Sequence, residues 1–372
     1  MTPDCGSEVR QAMPPGKWFS IVLAVTFGTA AAAAALNFAV DPLLHYRDGR
    51  HGRPPYLKGT LRSIRSIIPG LLSHRPCETV VVGTSMVRDI RPSQIEASFP
   101  GMAANVAVNG ATIEEQASIL SLALAAPTVR RIIWGVDVYS FSDNDTGMSR
   151  MPAHLYNNTP WDDYRYLLDP DAAVLSVKTL IGRTLGLWPE HFDWDNLAYS
   201  GGRYTYGHKQ VLAEWRRGTF HRSYRPETHS LDALKRNYRR FVRPLLNRSS
   251  DVHIAVFFPP YSILAWEDMR RKGWLEDVLA FKAFLISELI SHPNISVFDF
   301  QADASVVCDF SNYKDLTHFS PAVSDSILAA VADGSSSIRT GTQAAEAVSR
   351  LRGLVESLDL ASLLAEPGES PR

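Results

Sequence analysis

The sequence predicts an α/β protein: a three-layer, doubly wound, mainly parallel five-stranded sheet with a long aromatic-rich insertion and an N-terminal apolar helix. Three observations carry the prediction. Short runs rich in Val and Ile at 79–82, 104–108, 131–136, 252–258 and 295–300 are apolar on both alternating faces, as strands buried on both sides of a parallel sheet are. Helix-length amphipathic stretches at 93–99, 113–125, 231–246, 266–291 and 322–332 separate them, and such alternation builds a doubly wound sheet. The composition fits, since 372 residues that are 45% hydrophobic and 21% charged suffice for one large domain or two ordinary ones, and exclude disorder and collagen-like repetition.

In chain order, residues 1–17 form a leader and residues 18–40 carry no charge between Lys17 and Asp41-Pro42. At about 1.5 Å per residue the uncharged run spans a hydrocarbon core of roughly 30 Å. It reads as a transmembrane anchor; a cleaved signal peptide and a buried Ala-rich helix are the alternatives, since small residues from Ala30 to Ala35 fill any A-x-A cleavage site. Arg47, Arg50, Arg53, Lys58, Arg62 and Arg65 follow it, and a positive-inside count alone puts the main domain in the cytoplasm. Long domains translocate despite such charge, and a short leader before an apolar run is a common export signal, so the expectation is an extracytoplasmic (periplasmic) domain. Secretion after signal cleavage is the alternative.

Residues 41–77 form a basic linker and a short helix near 64–72, and 78–335 form the α/β domain. The third connection is too long for a loop: residues 140–230 are an insertion containing Trp161, Tyr164, Tyr166, Trp188, Trp194, Tyr199, Tyr204, Tyr206, Trp215 and Tyr224. These aromatics are expected to build a small core of their own, with platforms for sugar rings as the sharper alternative. Residues 336–372 hold an amphipathic helix with Ala344, Val348, Leu351 and Val355 at helical spacing, and a tail.

The formal charge of −1 leaves no overall electrostatic footprint for nucleic acid. Three cysteines without CxxC spacing argue against zinc ribbons, redox motifs and disulfide scaffolds; Cys77 and Cys308 can pair in an oxidising compartment, though nothing requires it. GxGxxG, Walker A and HExxH patterns are absent. Chemistry points instead to Ser85, which follows Gly83-Thr84 at the carboxyl end of the first strand, where an open α/β sheet presents reactive groups. A serine nucleophile needs a base and an orienting carboxylate. Asp315-Leu316-Thr317-His318 supplies both just before the last helix of the domain, and a doubly wound sheet can bring them to the same edge. The segment Gly83 to Val87 lacks the second glycine of a G-x-S-x-G elbow.

Gly83-Thr84-Ser85-Met86, Asn109-Gly110-Ala111-Thr112 and Asp315-x-x-His318, in this order over roughly 78–332, resemble blocks I, II and V of the SGNH (GDSL-type) hydrolase superfamily. With the apolar N-terminal segment, the Val40-Asp41-Pro42 exit and the Pro259-Pro260-Tyr261-Ser262 turn, the chain is most similar to membrane-anchored SGNH-like proteins of bacterial envelopes. That group includes relatives of the alginate O-acetylation proteins and of the D-alanyl transfer protein for teichoic acids. The resemblance implies Ser85 as nucleophile, His318 as base, Asp315 as its orienter, and the backbone N–H groups of Ser85 and Gly110 as oxyanion donors. It implies transfer or hydrolysis of an O-linked acyl group, acetyl in the first instance, on an envelope polysaccharide. It further implies a carbohydrate or acylated polysaccharide substrate, a membrane acyl-donor protein as partner, and no metal or cofactor. Two positions depart from the pattern. Thr84 stands where block I has Asp, and Asp137 stands at the block III position, where the superfamily's Asn donates to the oxyanion. An ionised Asp137 only accepts. Either Asn109 takes over that donation, or Asp137 is held protonated, or it is a structural carboxylate, or the enzyme is slow or inactive. An inactive scaffold or carbohydrate-binding component of a polysaccharide assembly complex is the competing expectation, and Asp137 is its main support.

Overall fold

The computed structural model describes residues 14–47, 61–142, 151–157, 159–187, 194–195, 204–218, 226–247 and 251–364. Five strands, β1 (Thr79–Val82), β2 (Ala103–Asn105), β3 (Arg131–Gly135), β4 (His253–Phe258) and β5 (Ile295–Asp299), form one sheet in the order β2-β1-β3-β4-β5. Every pairing is parallel, with Val80 beside Ala104 and Ile132, and Ile254 beside Ile132 and Ile295. Val80, Val81, Val82, Ile132, Ile133 and Trp134 have 0% exposure, which explains their apolar character on both alternating faces.

The helices are α1 (Pro15–Val40), α2 (Leu61–His74), α3 (Pro92–Ser98), α4 (Ile113–Ala125), α5 (Pro170–Thr184), α6 (His208–Arg217), α7 (Leu231–Asn237), α8 (Ile263–Arg271), α9 (Leu275–Leu289), α10 (Pro321–Asp333) and α11 (Gly341–Glu356), besides short turns. Helices α3 and α10 pack together, whereas α2 packs on α4, and α9 packs on α7, α8 and α11, so the helices flank the sheet in two groups. The strand order reverses between β1 and β3, and in such sheets the crevice outside the carboxyl ends at the reversal is where ligands bind.

Some elements differ from their sequence expectation. The stretch 266–291 is two helices, because Gly273 adopts φ +71° between α8 and α9. The stretch 231–246 passes through a π turn at Tyr238–Val242, where the Arg243 N–H reaches the Tyr238 carbonyl. Pro244 follows immediately; it has no N–H for the next helical bond, and its ring crowds the preceding turn. Strand β2 is shorter than expected, yet Val106 and Val108 still donate to the Val81 and Gly83 carbonyls at 2.9 and 3.0 Å, which zips the second loop to the first. Helix α11 packs on α9 and buries Ala344, Ala347, Val348 and Leu351 in the domain's hydrophobic cluster, so the C-terminal amphipathic stretch belongs to the domain. Cys77 and Cys308 are both free thiols.

The insertion does not carry a separate core among the described residues. Its buried Leu155, Tyr166, Ala172, Val211 and Leu212 join the domain's own hydrophobic cluster. Tyr166 clamps the end of α1: its hydroxyl donates to Asp41 Oδ1 at 2.9 Å. The Asp41 carboxylate also accepts from the backbone N–H groups of His45, Tyr46 and Arg47, each at 2.9 Å. Gly70 of α2 lies against this exit so closely that a Cβ there would meet the Leu44 carbonyl oxygen at 2.1 Å. The apolar helix therefore enters the domain through fixed contacts.

Candidate active site

The turn after β1 is built on two close backbone approaches. Gly83, at φ +153°, would bring a Cβ to 2.8 Å from the Gly135 carbonyl oxygen, and a Cβ on Gly135 would lie 2.2 Å from Val87 Cγ1. Neither position accommodates a larger residue without movement of the turn that carries Ser85. Ser85 opens a short 3₁₀ turn whose preceding residue, Thr84, accepts the Met86 N–H at 3.3 Å. From the end of β2, buried Asn105 donates to the Val87 and Ile90 carbonyls at 2.8 and 2.6 Å and accepts from Ala107 N at 2.9 Å. Its side chain ties the Ser85 turn to the second loop.

The Asp315–His318 loop is held from two sides. Ser262, in the turn after β4, donates its N–H and hydroxyl to the Leu316 carbonyl at 3.1 and 2.7 Å. Glu214 of α6 accepts the Leu316 N–H at 3.1 Å, and the Gly207 N–H donates to the Tyr313 carbonyl at 2.9 Å. Burial pushes the Glu214 carboxyl upward, and the Asp315 charge adds to that. The insertion thus reaches the site as a brace, through α6.

Between these loops the chemistry-bearing atoms form one line. Ser85 Oγ lies 2.8 Å from His318 Nε2, and His318 Nδ1 lies 2.7 Å from Asp315 Oδ2. The other carboxylate oxygen, Oδ1, accepts the backbone N–H groups of His318 at 2.7 Å and Thr317 at 2.9 Å. Burial works against the Asp315 charge, but the His318 ring and these backbone donors outweigh it and hold the carboxyl below its usual range. An ionised Asp315 fixes the tautomer with Nδ1 protonated, leaving Nε2 to accept from the serine hydroxyl. The line opens into a cavity of about 650 Å³, whose lining includes Ser85, Arg88, Asn109, Tyr204, Gln210 and Lys314.

The expected oxyanion donors fall as follows. The backbone N–H groups of Ser85 and Gly110 donate to no other group among the described residues, and Gly110 adopts φ +60°, a conformation that favours glycine. Asn109 lines the cavity, and its Oδ1 is buried without a hydrogen-bond partner. Arg65 holds this turn from behind, donating to the Asn109 carbonyl at 3.4 Å while its guanidinium bridges both Glu115 oxygens at 3.0 and 3.1 Å. Asp137 is not among the cavity's lining residues. Its Oδ1 accepts from Tyr261 Oη at 2.6 Å and Tyr139 N at 3.0 Å, and its Oδ2 accepts from Thr84 Oγ1 at 3.1 Å. Burial raises its carboxyl, while the Tyr261 and Thr84 hydrogen bonds oppose the rise. These contacts tie the residue before Ser85 to the β3 and β4 exits.

Of the insertion's aromatics, Tyr204 lines the cavity, with the Lys314 ammonium 3.7 Å from its ring centre. Trp194 and Trp215 stack with Arg75 and Arg271. Trp161 and Tyr164 are exposed beside the α1 exit, and Trp188, Tyr199 and Tyr224 lie outside the described residues. Sequence reasoning did not assign roles to Asn105, Glu214 and Ser262; Glu214 and Ser262 act on the Leu316 backbone 102 and 54 positions away, which leaves no local spacing to read. Tyr261 and Ser262 had one signal, the Pro-Pro pair that fixes their turn. No family model matches this chain, and no curated protein matches it.

Proposed function

We propose that this chain is a membrane-anchored, SGNH-like serine enzyme that transfers or removes an O-linked acyl group, such as acetyl, on a cell-envelope polysaccharide outside the cytoplasm. The observation that carries the reading is the continuous hydrogen-bonded line from Asp315 through His318 to Ser85, opening into a polar cavity. In this reaction Ser85 Oγ attacks the acyl carbonyl carbon while its proton passes to His318 Nε2, and Asp315 stabilises the imidazolium that forms. The oxyanion is received by the Ser85 and Gly110 N–H groups, with the Asn109 side-chain amide as third donor. As the ester C–O bond breaks, His318 returns the proton to the departing sugar oxygen. Water or a second sugar hydroxyl, deprotonated by His318, then takes the acyl group from Ser85.

Tyr204 supplies an aromatic face for a sugar ring at the cavity edge. The end of α1 is joined to the insertion: Asn37 donates to the Leu167 carbonyl at 3.0 Å and accepts from Ser176 Oγ at 2.8 Å. Both Asp137 oxygens are taken up by Thr84, Tyr139 and Tyr261 outside the cavity lining, which supports reading the residue as a support of the Ser85 turn and not as a missing donor. A fluorophosphonate probe tests the reading. Labelling of the wild type that disappears in Ser85→Ala is expected; folded wild-type protein that stays unlabelled would favour the scaffold.

A further inference from the structure

Helix α5, inside the insertion, has one principal packing neighbour among the described residues, and that neighbour is α1. Its buried face is made of small residues, Ala172, Ser176, Thr179 and Gly182. On α1 the partly or fully covered positions are Ala30, Ala33, Ala34, Leu36, Asn37 and Val40, one side of its last three turns. Asn37 sits near the start of α5, bonded to Ser176 and to the Leu167 and Asp169 carbonyls, so α5 runs back along α1 toward the N-terminal half. Small side chains on both helices let the backbones approach closely, and a buried Asn–Ser hydrogen bond joins them; both are devices of helix packing in lipid. The alanine run, a weak contributor to membrane insertion by itself, is the surface on which α5 lies.

The opposite face of α5 is apolar and uncovered. Val174, Val177, Leu180 and Ile181 on α5, with Leu185 and Leu187 just beyond its end, are 42–69% exposed. This face continues the uncovered surface of α1, whose Trp18, Phe19, Val25 and Phe27 are 60–70% exposed. Just before α5, Trp161 (87%) and Tyr164 (55%) are also exposed, at the level where Asp163 binds His45 and Tyr46 at the α1 exit. Exposed Trp and Tyr beside an apolar stripe suit the headgroup boundary of a bilayer. At about 1.5 Å per residue, the 15 residues of α5 reach roughly 22 Å, short of the roughly 30 Å hydrocarbon core.

We infer that α5 is a second, non-spanning membrane element: its Val174–Leu187 stripe is immersed in the leaflet at the C-terminal end of α1, with Trp161 and Tyr164 at the headgroups. The occupant of this face is lipid, and the pair α1 and α5 fixes the height and tilt of the domain above the bilayer. The inference rests on α1 being retained as a membrane helix in the proposed reading, and is independent of the chemistry at Ser85.

The test uses the full chain reconstituted in phosphatidylethanolamine/phosphatidylglycerol vesicles containing a phospholipid with a diazirine in its acyl chain. After illumination, the labelled peptides are mapped by mass spectrometry, and a water-soluble diazirine serves in a parallel sample. Lipid label on α1 and on the α5 stripe, with α6 unlabelled, is expected. In a Val177→Asp/Ile181→Asp variant the α5 label should fall several-fold while the α1 label persists and the circular dichroism spectrum is unchanged. Lipid label on α1 with α5 reached only by the water-soluble reagent overturns the inference alone and leaves the face to a protein partner. Absence of lipid label from both helices overturns the anchor as well, whereas fluorophosphonate labelling of Ser85 reports on the chemistry separately.

Discussion

Asp315→Asn gives the sharpest perturbation of the proposed mechanism, because the surroundings decide which way the new amide must face. Asp315 Oδ1 accepts two backbone N–H groups, at 2.7 and 2.9 Å, so an NH₂ at that position would oppose two donors. The amide oxygen therefore stays there, and the NH₂ occupies the place of Oδ2, 2.7 Å from His318 Nδ1. As a donor at that point it drives Nδ1 to accept and leaves the ring proton on Nε2, the nitrogen 2.8 Å from Ser85 Oγ. A protonated Nε2 cannot take the serine proton. The same tautomer inversion in a Ser-His-Asp triad lowers kcat by about 10⁴-fold, which corresponds to about 5 kcal/mol of transition-state stabilisation. The substitution is isosteric and keeps both backbone pairings, so the chain stays folded at neutral pH, with a thermal midpoint below that of wild type by the contribution of the ionised carboxylate. The assay is p-nitrophenyl acetate turnover by the purified full chain, with kcat/KM read beside the thermal midpoint. Retention of activity within tenfold of wild type would refute the assigned roles of His318 and Asp315.

Three further outcomes follow from the same geometry. Asn109→Ala should lower kcat by about 10²- to 10³-fold with an unchanged fold, as loss of an oxyanion donor does, and a loss under tenfold in the same assay would remove Asn109 from the oxyanion site. Asp137→Asn should change kcat by less than about tenfold, because the side chain holds Thr84 and Tyr261 outside the cavity lining; a gain of about 10²-fold would instead make this position a missing oxyanion donor. Asp315 is held below its ordinary value in the folded chain, so its ionised form stabilises the fold above about pH 3.9, and this contribution is lost as the pH falls through the depressed value. The thermal midpoints of wild type and Asp315→Asn, scanned from neutral to acid pH, should therefore converge below about pH 4; a gap that widens there would contradict the assignment.

The sheet was legible because strands covered on both faces must be apolar at consecutive positions, and Val80-Val81-Val82 and Ile132-Ile133-Trp134 satisfy that without any knowledge of their partners. Ser85, His318 and Asp315 were legible for a related reason: the topology fixes where strand ends meet, so residue type and place in the strand order suffice. The groups that hold them were not. Glu214 lies 102 positions from the Leu316 N–H that it accepts, and Tyr261 lies 124 positions from Asp137, so no local pattern encodes either pairing. Asp137 illustrates the difference. Its identity could be read as a missing donor, yet its role is set by three donors from the β1, β3 and β4 exits. The insertion's aromatics were read by type as a separate core or as sugar platforms, whereas their placement divides them among the α1 clamp, arginine stacks and the cavity edge.

The central claim is that Ser85 carries the acyl group. The most direct measurement is acid quenching of the full chain during turnover of p-nitrophenyl acetate, followed by peptide mass spectrometry. An acetyl adduct on the peptide containing Ser85, absent from Ser85→Ala, is the predicted result. Turnover with no adduct on Ser85, or an equal adduct elsewhere in the Ser85→Ala chain, would contradict it.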